Sequence, residues 1–222
     1  DSSDFRSIYA FDDLSAVICK IGSPGKILRT KDGGKTWQEV YSNNHEAVFI
    51  DGIDFWNERD GICFGDPIDG KMLLLKTNDG GNSWEQLPGP SRPLLVDGES
   101  SFAASGTTIR CFDISSVMIA TGGEITRLLI SRNKGNSWSS KVPPVIHGSP
   151  STGIFSFDFF DEEIGVVVGG DYKADTMATD HIYITRDGGT SWLNPPQPTR
   201  GYRECVTYLT GKILIAVGPS GM

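Results

Sequence analysis

One short phrase is written four times along this chain. Thr30–Trp37 reads TKDGGKTW, Thr77–Trp84 reads TNDGGNSW, Ser131–Trp138 reads SRNKGNSW and Thr185–Trp192 reads TRDGGTSW. The closing tryptophans, Trp37, Trp84, Trp138 and Trp192, stand 47, 54 and 54 residues apart. Self-similarity at such a period marks a repeat architecture, in which each unit buries its apolar face only against its neighbours. A second phrase recurs upstream of each box: FDDLSAVICKIGSPG from Phe11, FWNERDGICFGD from Phe55, FDISSVMIATGG from Phe112 and FFDEEIGVVVGG from Phe159. Each is an aromatic, a polar turn, a short apolar run and a glycine.

Each unit therefore reads as strand, turn, strand, loop, strand, tight turn, strand. The runs FSFDFF, IGVVVGG and HIYIT are short and rich in aromatic and β-branched residues, as strands are. No 12-residue stretch carries an apolar period of 3.6. The expected fold class is all-β, a β-propeller of four-stranded antiparallel blades. The approximate repeats are 5–47, 48–100, 101–153, 154–203 and an incomplete 204–222. The final KILIAVGPSGM matches the start of a unit and stops before its box, so the native chain is expected to continue past Met222.

The box is expected to be a folding element. Asp32, Asp79 and Asp187 stand with two glycines between strands, where a hairpin needs residues tolerant of positive φ. The carboxylate and the Ser/Thr hydroxyls can satisfy turn backbone groups. In the third box Asn133 replaces the Asp and Lys134 the first glycine, which keeps an acceptor oxygen but not a charge. The Trp is expected to begin the outer strand and to plug the space between sheets.

Composition narrows the possible partners. A net charge of −8 disfavours a nucleic-acid surface, and no run of Lys and Arg exceeds two residues, which disfavours an anionic membrane. No apolar run approaches a transmembrane helix. The opening DSSDFRSIYA has neither the basic nor the apolar region of a signal peptide, which fits a cytoplasmic protein or an exported one whose leader is absent. Cys19, Cys63, Cys111 and Cys205 lie in strand-like runs and read as buried free thiols, with an inter-blade disulfide left open.

The box pattern S/T-x-D-x-G-x-T/S-W is similar to the Asp-box (BNR) repeat of sialidases and related propellers. GESSFAASGTTI (Gly98–Ile109), IATGG (Ile119–Gly123), GSPSTGIFS (Gly148–Ser156), VVGGDYKAD (Val167–Asp175), RGYRECV (Arg200–Val206) and AVGPSG (Ala216–Gly221) sharpen the likeness. Together they resemble bacterial BNR-repeat proteins related to the photosystem II stability/assembly factor, whose members often carry oxidoreductase or glycosyl hydrolase labels. The resemblance implies about seven blades in a complete ring, and an exported, periplasmic or cell-envelope location.

Neither enzyme label finds its residues. A sialidase needs converging arginines and a Tyr nucleophile; FRSI around Arg6 lacks the proline that its motif wants, and no spaced arginine set follows. The acidic DFFDEE (Asp158–Glu163) reads as a solvated hairpin tip. GSPG and VGGDY lack G-x-G-x-x-G and its strand-to-helix context, so no cofactor is expected. His45, His147 and His181 are scattered, so no metal site is expected either.

Function is expected in the non-repeating loops. Those loops are Gly89–Gly106, Pro143–Gly153, Gly169–His181 and Pro198–Glu204. They carry Glu99, Ser101, Asp171, Tyr172, Arg200, Tyr202 and Arg203, which with Arg127 and Asp66 suit polar recognition of a peptide or small ligand. The competing reading has these side chains simply bonding neighbouring loops. The expectation is a non-catalytic binding or assembly module for a protein or small polar ligand. The alternative is a carbohydrate-active hydrolase using carboxylates on loops such as GDPIDG (Asp66, Asp69), which needs two carboxyl groups about 5 Å or about 6.5–9.5 Å apart.

Overall fold

A computed structural model describes residues 3–197 and 199–221. Pro198, which opens the fourth candidate loop, and Met222, past which the chain is expected to run, lie outside the described residues. The first sheet orders β1 (Phe5–Ala10), β2 (Ala16–Lys20), β3 (Gly25–Thr30) and β4 (Gln38–Asn43). The second orders β5 (Ile50–Phe55), β6 (Gly61–Ile68), β7 (Lys71–Thr77) and β8 (Glu85–Gln86). After the short β9 (Glu99–Ser100) come β10 (Ile109–Phe112), β11 (Ser116–Ala120), β12 (Gly122–Gly123), β13 (Leu128–Ser131) and β14 (Ser139–Lys141). Of these, β10, β11, β13 and β14 form the third sheet in that order. The fourth runs β17 (Ile182–Thr185), β16 (Gly165–Asp171), β15 (Thr152–Phe159), β12, β9, and β18 (Cys205–Thr210) pairs with β19 (Ile213–Val217). Sequential strands pair as antiparallel neighbours, and the only helical turn among the described residues is 3-10, at Gly89–Ser91. The β9 segment departs from the sequence expectation, which reads Gly89–Gly106 as loop.

The chain divides into two compact units. The first comprises Asp1–Leu95, Ile109–Met118 and Ser131–Trp138, the second Val96–Thr108, Ile119–Ile130 and Ser139–Met222. In the first, Val17, Cys19, Ile27, Ile50, Phe55, Cys63, Leu73, Leu75 and Trp84 form a buried core. In the second, Val166, Val168, Ile182, Val206 and Ala216 do the same. The alternation of these residues along each strand places them on the inward faces.

All four boxes have the same geometry. The Asp79 carboxylate accepts from Ser83 N (3.0 Å), Ser83 Oγ (2.7 Å) and Thr77 Oγ1 (2.8 Å), while Thr77 Oγ1 accepts from Gly81 N (3.0 Å). Asp32 and Asp187 repeat this pattern with Thr36 and Ser191. In the third box Asn133 Oδ1 still accepts from Ser137 N (2.9 Å), but Asn133 Nδ2 now donates to Ser137 Oγ (2.8 Å). A neutral amide thus performs the turn function of the carboxylate.

The two residues after the Asp are left-handed in every box, at φ 71 and 81° for Gly33 and Gly34, 72 and 79° for Gly80 and Gly81, 55 and 80° for Lys134 and Gly135, and 65 and 82° for Gly188 and Gly189. That explains the glycine pair, since an L side chain there costs about 1–2 kcal/mol. The N–H of the first left-handed residue donates to its own sheet's first hairpin: Gly33 to Leu14 O, Gly80 to Arg59 O, Lys134 to Ser115 O and Gly188 to Glu163 O, at 2.8–2.9 Å. In three boxes its carbonyl accepts from a cation of the preceding sheet: Arg29 Nε to Gly80 O (2.9 Å), Lys76 Nζ to Lys134 O (2.9 Å) and Lys141 Nζ to Gly188 O (2.7 Å). Lys134 also turns its ammonium onto Asp60 at 2.5 Å and over the Trp56 ring.

A second clasp links consecutive sheets within each unit. Asp54 Oδ2 accepts from Cys111 N (2.6 Å), and Asp158 Oδ2 accepts from Tyr208 N (2.7 Å). The tryptophans are less uniform than the sequence implies. Trp84 is buried and meets Phe55 edge-on at 5.7 Å, which is the expected plug. Trp37 stays 37% exposed and folds back over its own turn, its Nε1 donating to Gly34 O at 3.1 Å. A Cβ at Gly34 would meet the indole at an ordinary 3.6 Å, so it is the left-handed backbone that favours glycine there, and the ring caps the turn as readily as it fills a gap between sheets.

Asp79→Ala removes the acceptor of four donors at a half-buried turn. It is expected to destabilise the protein by about 1–3 kcal/mol in denaturant unfolding, whereas Asp79→Asn, which copies the third box, is expected to lose clearly less.

Candidate functional site

Every sequence-predicted binding residue except Asp66 lies in the second unit. Phe155 is met by two of them, Tyr172 and Tyr202. It is the extra residue of a β-bulge, where the β15–β16 register shifts between Ile154 and Ser156. A bulge re-aims the side chain it inserts. The Phe102 ring stacks on it at 3.8 Å, Tyr202 meets it edge-on at 4.7 Å and Tyr172 at 6.0 Å. Phe102 reaches this position because Gly122 and Gly153 have no side chain: a Cβ on either would come within 3 Å of the ring.

The loop that carries Phe102 is fastened at its start by Glu99. Its buried carboxylate accepts from Arg127 Nε (2.7 Å), Arg127 Nη2 (2.6 Å), Thr121 Oγ1 (2.7 Å) and Val96 N (3.0 Å). A forked guanidinium on a carboxylate is among the strongest polar contacts a protein makes. Ser101 Oγ donates to Ala120 O (3.0 Å), and β9 pairs with β12 through Gly122–Ser100 and Gly123–Glu99. These side chains turn inward and hold the loop as part of the sheet.

Arg203 is 1% exposed, its Nη1 donating to Tyr202 O and Ser220 Oγ, both at 2.9 Å, while its Nε has no partner. Burial lowers its pKa from the ordinary arginine value. Tyr202 is also buried, and burial followed by the charge of Glu204 pushes its phenol well up. The outer layer consists of three residues. Tyr172 is 48% exposed with the Lys173 ammonium 5.9 Å from its ring centre. Arg200 is exposed, and Asp171 is half-buried and accepts from Lys173 N at 2.9 Å. The set thus separates into an inner frame (Glu99, Ser101, Arg127, Tyr202, Arg203) and an outer rim (Asp171, Tyr172, Arg200).

Asp66 sits in the first unit, half-buried, with its N–H donating to Phe49 O at 3.0 Å. It stands where the β6–β7 register shifts, between Gly65 and Pro67. Beside it is a residue that sequence reasoning passed over. Asp51 is the bulge residue of the β5–β6 ladder, between Ile50 and Gly52, as Phe155 is of β15–β16. It is wholly buried, and neither carboxyl oxygen has a hydrogen-bond partner. Burial first, and the charge of Asp66 second, raise its pKa well above the carboxylate range. The sequence signal was an acid inside the apolar run VFIDGIDF. Among the described residues no cluster of three or more His, Cys, Asp or Glu side chains is placed to hold a metal, and no helix is long and apolar enough to cross a membrane.

Sheets of four antiparallel strands repeated with their Asp boxes define the chain as an Asp-box β-propeller. Solved propellers superpose on it, with TM-scores of 0.65 for the Niastella koreensis GH74 enzyme (14% identity, 92% of this chain, 31% of that one) and 0.58 for YCF48 bound to a D1 peptide (16% identity, 99% of this chain, 64% of that one). The family described as Photosynthesis system II assembly factor YCF48 matches residues 10–107. The photosystem II stability/assembly factor HCF136 of Oryza sativa, chloroplastic, is 25% identical over 192 residues, covering 79% of this chain and 41% of its own length. Over residues 10–107 this chain is thus similar to the photosystem II assembly factor-like BNR-repeat propellers. It spans less than half the length of the curated relatives it matches.

Two variants probe these environments. Glu99→Gln leaves the Arg127 guanidinium without its counter-charge and is expected to destabilise the fold by about 3 kcal/mol, read from denaturant midpoints. Asp51 has a folded pKa above its unfolded value, so its stability contribution is complete only below the unfolded value of about 3.9 and is lost as pH rises from there toward the folded pKa. Asp51→Asn is therefore expected to raise the melting temperature at pH 7 and to leave it nearly unchanged at pH 4.

Proposed function

We propose that this chain is part of a non-catalytic binding or assembly module that recognises a protein segment through the rim of its second unit. The observation that carries this reading is the division of that unit into a locked inner frame and a rim of exposed Tyr172 and Arg200 with half-buried Asp171. An exposed aromatic with a guanidinium and a carboxylate among the same candidate residues suits an extended peptide, which offers both backbone and charged side chains. The likeness to YCF48, solved with a D1 peptide, supports a peptide as the ligand. The chloroplastic relative and the family likeness support action outside the cytoplasm.

The GH74 likeness favours a second reading, a glycan-cleaving site. The carboxyl that the Asp66 charge acts on, Asp51, is sealed from solvent. A general acid must reach the bond it protonates, so the peptide reading is preferred.

Titration of the intact protein against an immobilised peptide set that includes a D1-derived peptide tests the proposal. Tyr172→Ala and Arg200→Ala are each expected to weaken the best-bound peptide roughly tenfold, about 1.4 kcal/mol, with an unchanged melting temperature. Release of reducing sugar from β-glucans, abolished by Asp66→Asn, would instead establish the hydrolase.

A further inference from the structure

Four cysteines are distributed through this chain, and the fold brings two of them together. Cys19 on β2 and Cys63 on β6, 44 positions apart, are both wholly buried in the core of the first unit, with their sulfurs 4.0 Å apart. They occupy the second strands of consecutive sheets. Cys111 and Cys205 sit elsewhere, on β10 and β18, and Cys205 lies against Thr107. A disulfide holds its sulfurs about 2.05 Å apart, so the present contact closes with a displacement of about 2 Å.

We propose that Cys19 and Cys63 are a disulfide-forming pair, oxidised by thiol–disulfide exchange as the chain folds, which ties the first sheet to the second. The co-reactant is a small-molecule or protein disulfide. One cysteine thiolate attacks a sulfur of that disulfide and expels one thiolate. The second cysteine thiolate attacks the mixed disulfide and expels the other. Two protein thiols lose two electrons and two protons, and the oxidant leaves as two thiols.

The timing follows from the burial. Exchange needs a thiolate that the oxidant can reach. In the folded core neither sulfur meets solvent, and burial, followed by the adjoining Cys19 thiol, holds the Cys63 thiol well above its ordinary pKa. Before the core closes, both are ordinary exposed thiols. The link is therefore expected to form during folding and then to be shielded from reductants. It does not depend on the peptide-binding proposal, because peptide mapping reports it whether or not any ligand binds.

The test is to refold the intact protein from denaturant in a mixture of oxidised and reduced glutathione, block free thiols with N-ethylmaleimide and map the proteolytic peptides. The expected product joins the Cys19 peptide to the Cys63 peptide, two hydrogens lighter, with Cys111 and Cys205 blocked. Free, blocked Cys19 and Cys63, or a link from Cys63 to Cys111 or Cys205, would overturn the assignment. Removing either sulfur by mutation would leave a core cavity, so the second measurement uses the natural protein. Protein refolded with the link is expected to melt about 10 °C above protein refolded in dithiothreitol, because the link constrains the unfolded chain; equal melting temperatures would count against it. Folded, reduced protein left in oxidised glutathione is expected to stay reduced, and rapid oxidation there would overturn the folding-time order.

Discussion

The structure depends on a pair of left-handed residues in a turn. The first residue of that pair faces two ways, its N–H held by a hairpin of its own sheet and its carbonyl, in three of the four boxes, held by a cation from the sheet before it. A turn that would otherwise only reverse the chain therefore also sets the spacing between consecutive sheets within a unit. Sheet-to-sheet packing by apolar contact alone tolerates sliding, because hydrophobic contact is not directional. Hydrogen bonds from Arg29, Lys76 and Lys141 fix the position, and the Asp54 and Asp158 clasps fix it again further along the inner strands.

This arrangement accounts for the one irregular box. Lys134 occupies a position where glycine is easier, and the strain of its left-handed backbone is offset by the Asp60 ion pair and the Trp56 contact. The change from Asp to Asn133 in the same box is tolerated because the turn needs an acceptor oxygen and a hydroxyl partner, and the charge is incidental. The third box thus separates the parts of the motif that the turn requires from those that merely accompany it.

Much of the fold was legible because its governing element is local. Asp, two glycines and a Ser or Thr form their bonds within five residues, so reading the phrase amounts to reading the turn. What could not be read comes from contacts distant in sequence. Arg29, Lys76 and Lys141 look like ordinary strand-edge cations until the next turn is placed beside them. β9 could not be foreseen, since GESS has the composition of a loop and becomes a strand only by pairing with β12. Among the candidate site residues, Tyr172 and Arg200 look outward as recognition residues must, while Glu99 and Arg203 look inward. Nothing in their local sequence separates the two groups. Asp51 went unnoticed because a single acid in a strand normally faces solvent, and only the bulge turns it into the core.

The same bulge holds an aromatic in one unit and an acid in the other, and the contrast bears on what a visiting molecule meets. In the second unit the Phe155 ring is stacked and walled, and the loop that carries Phe102 has already given up its freedom to the Glu99 clasp. On the proposed reading, a flexible peptide arriving there would have to order only itself. Selectivity at such a surface falls to shape and charge at the point of contact, and little is left to adaptation by the host. Relatives that exchanged rim side chains while keeping the clasp could change clients without having to rebuild the scaffold.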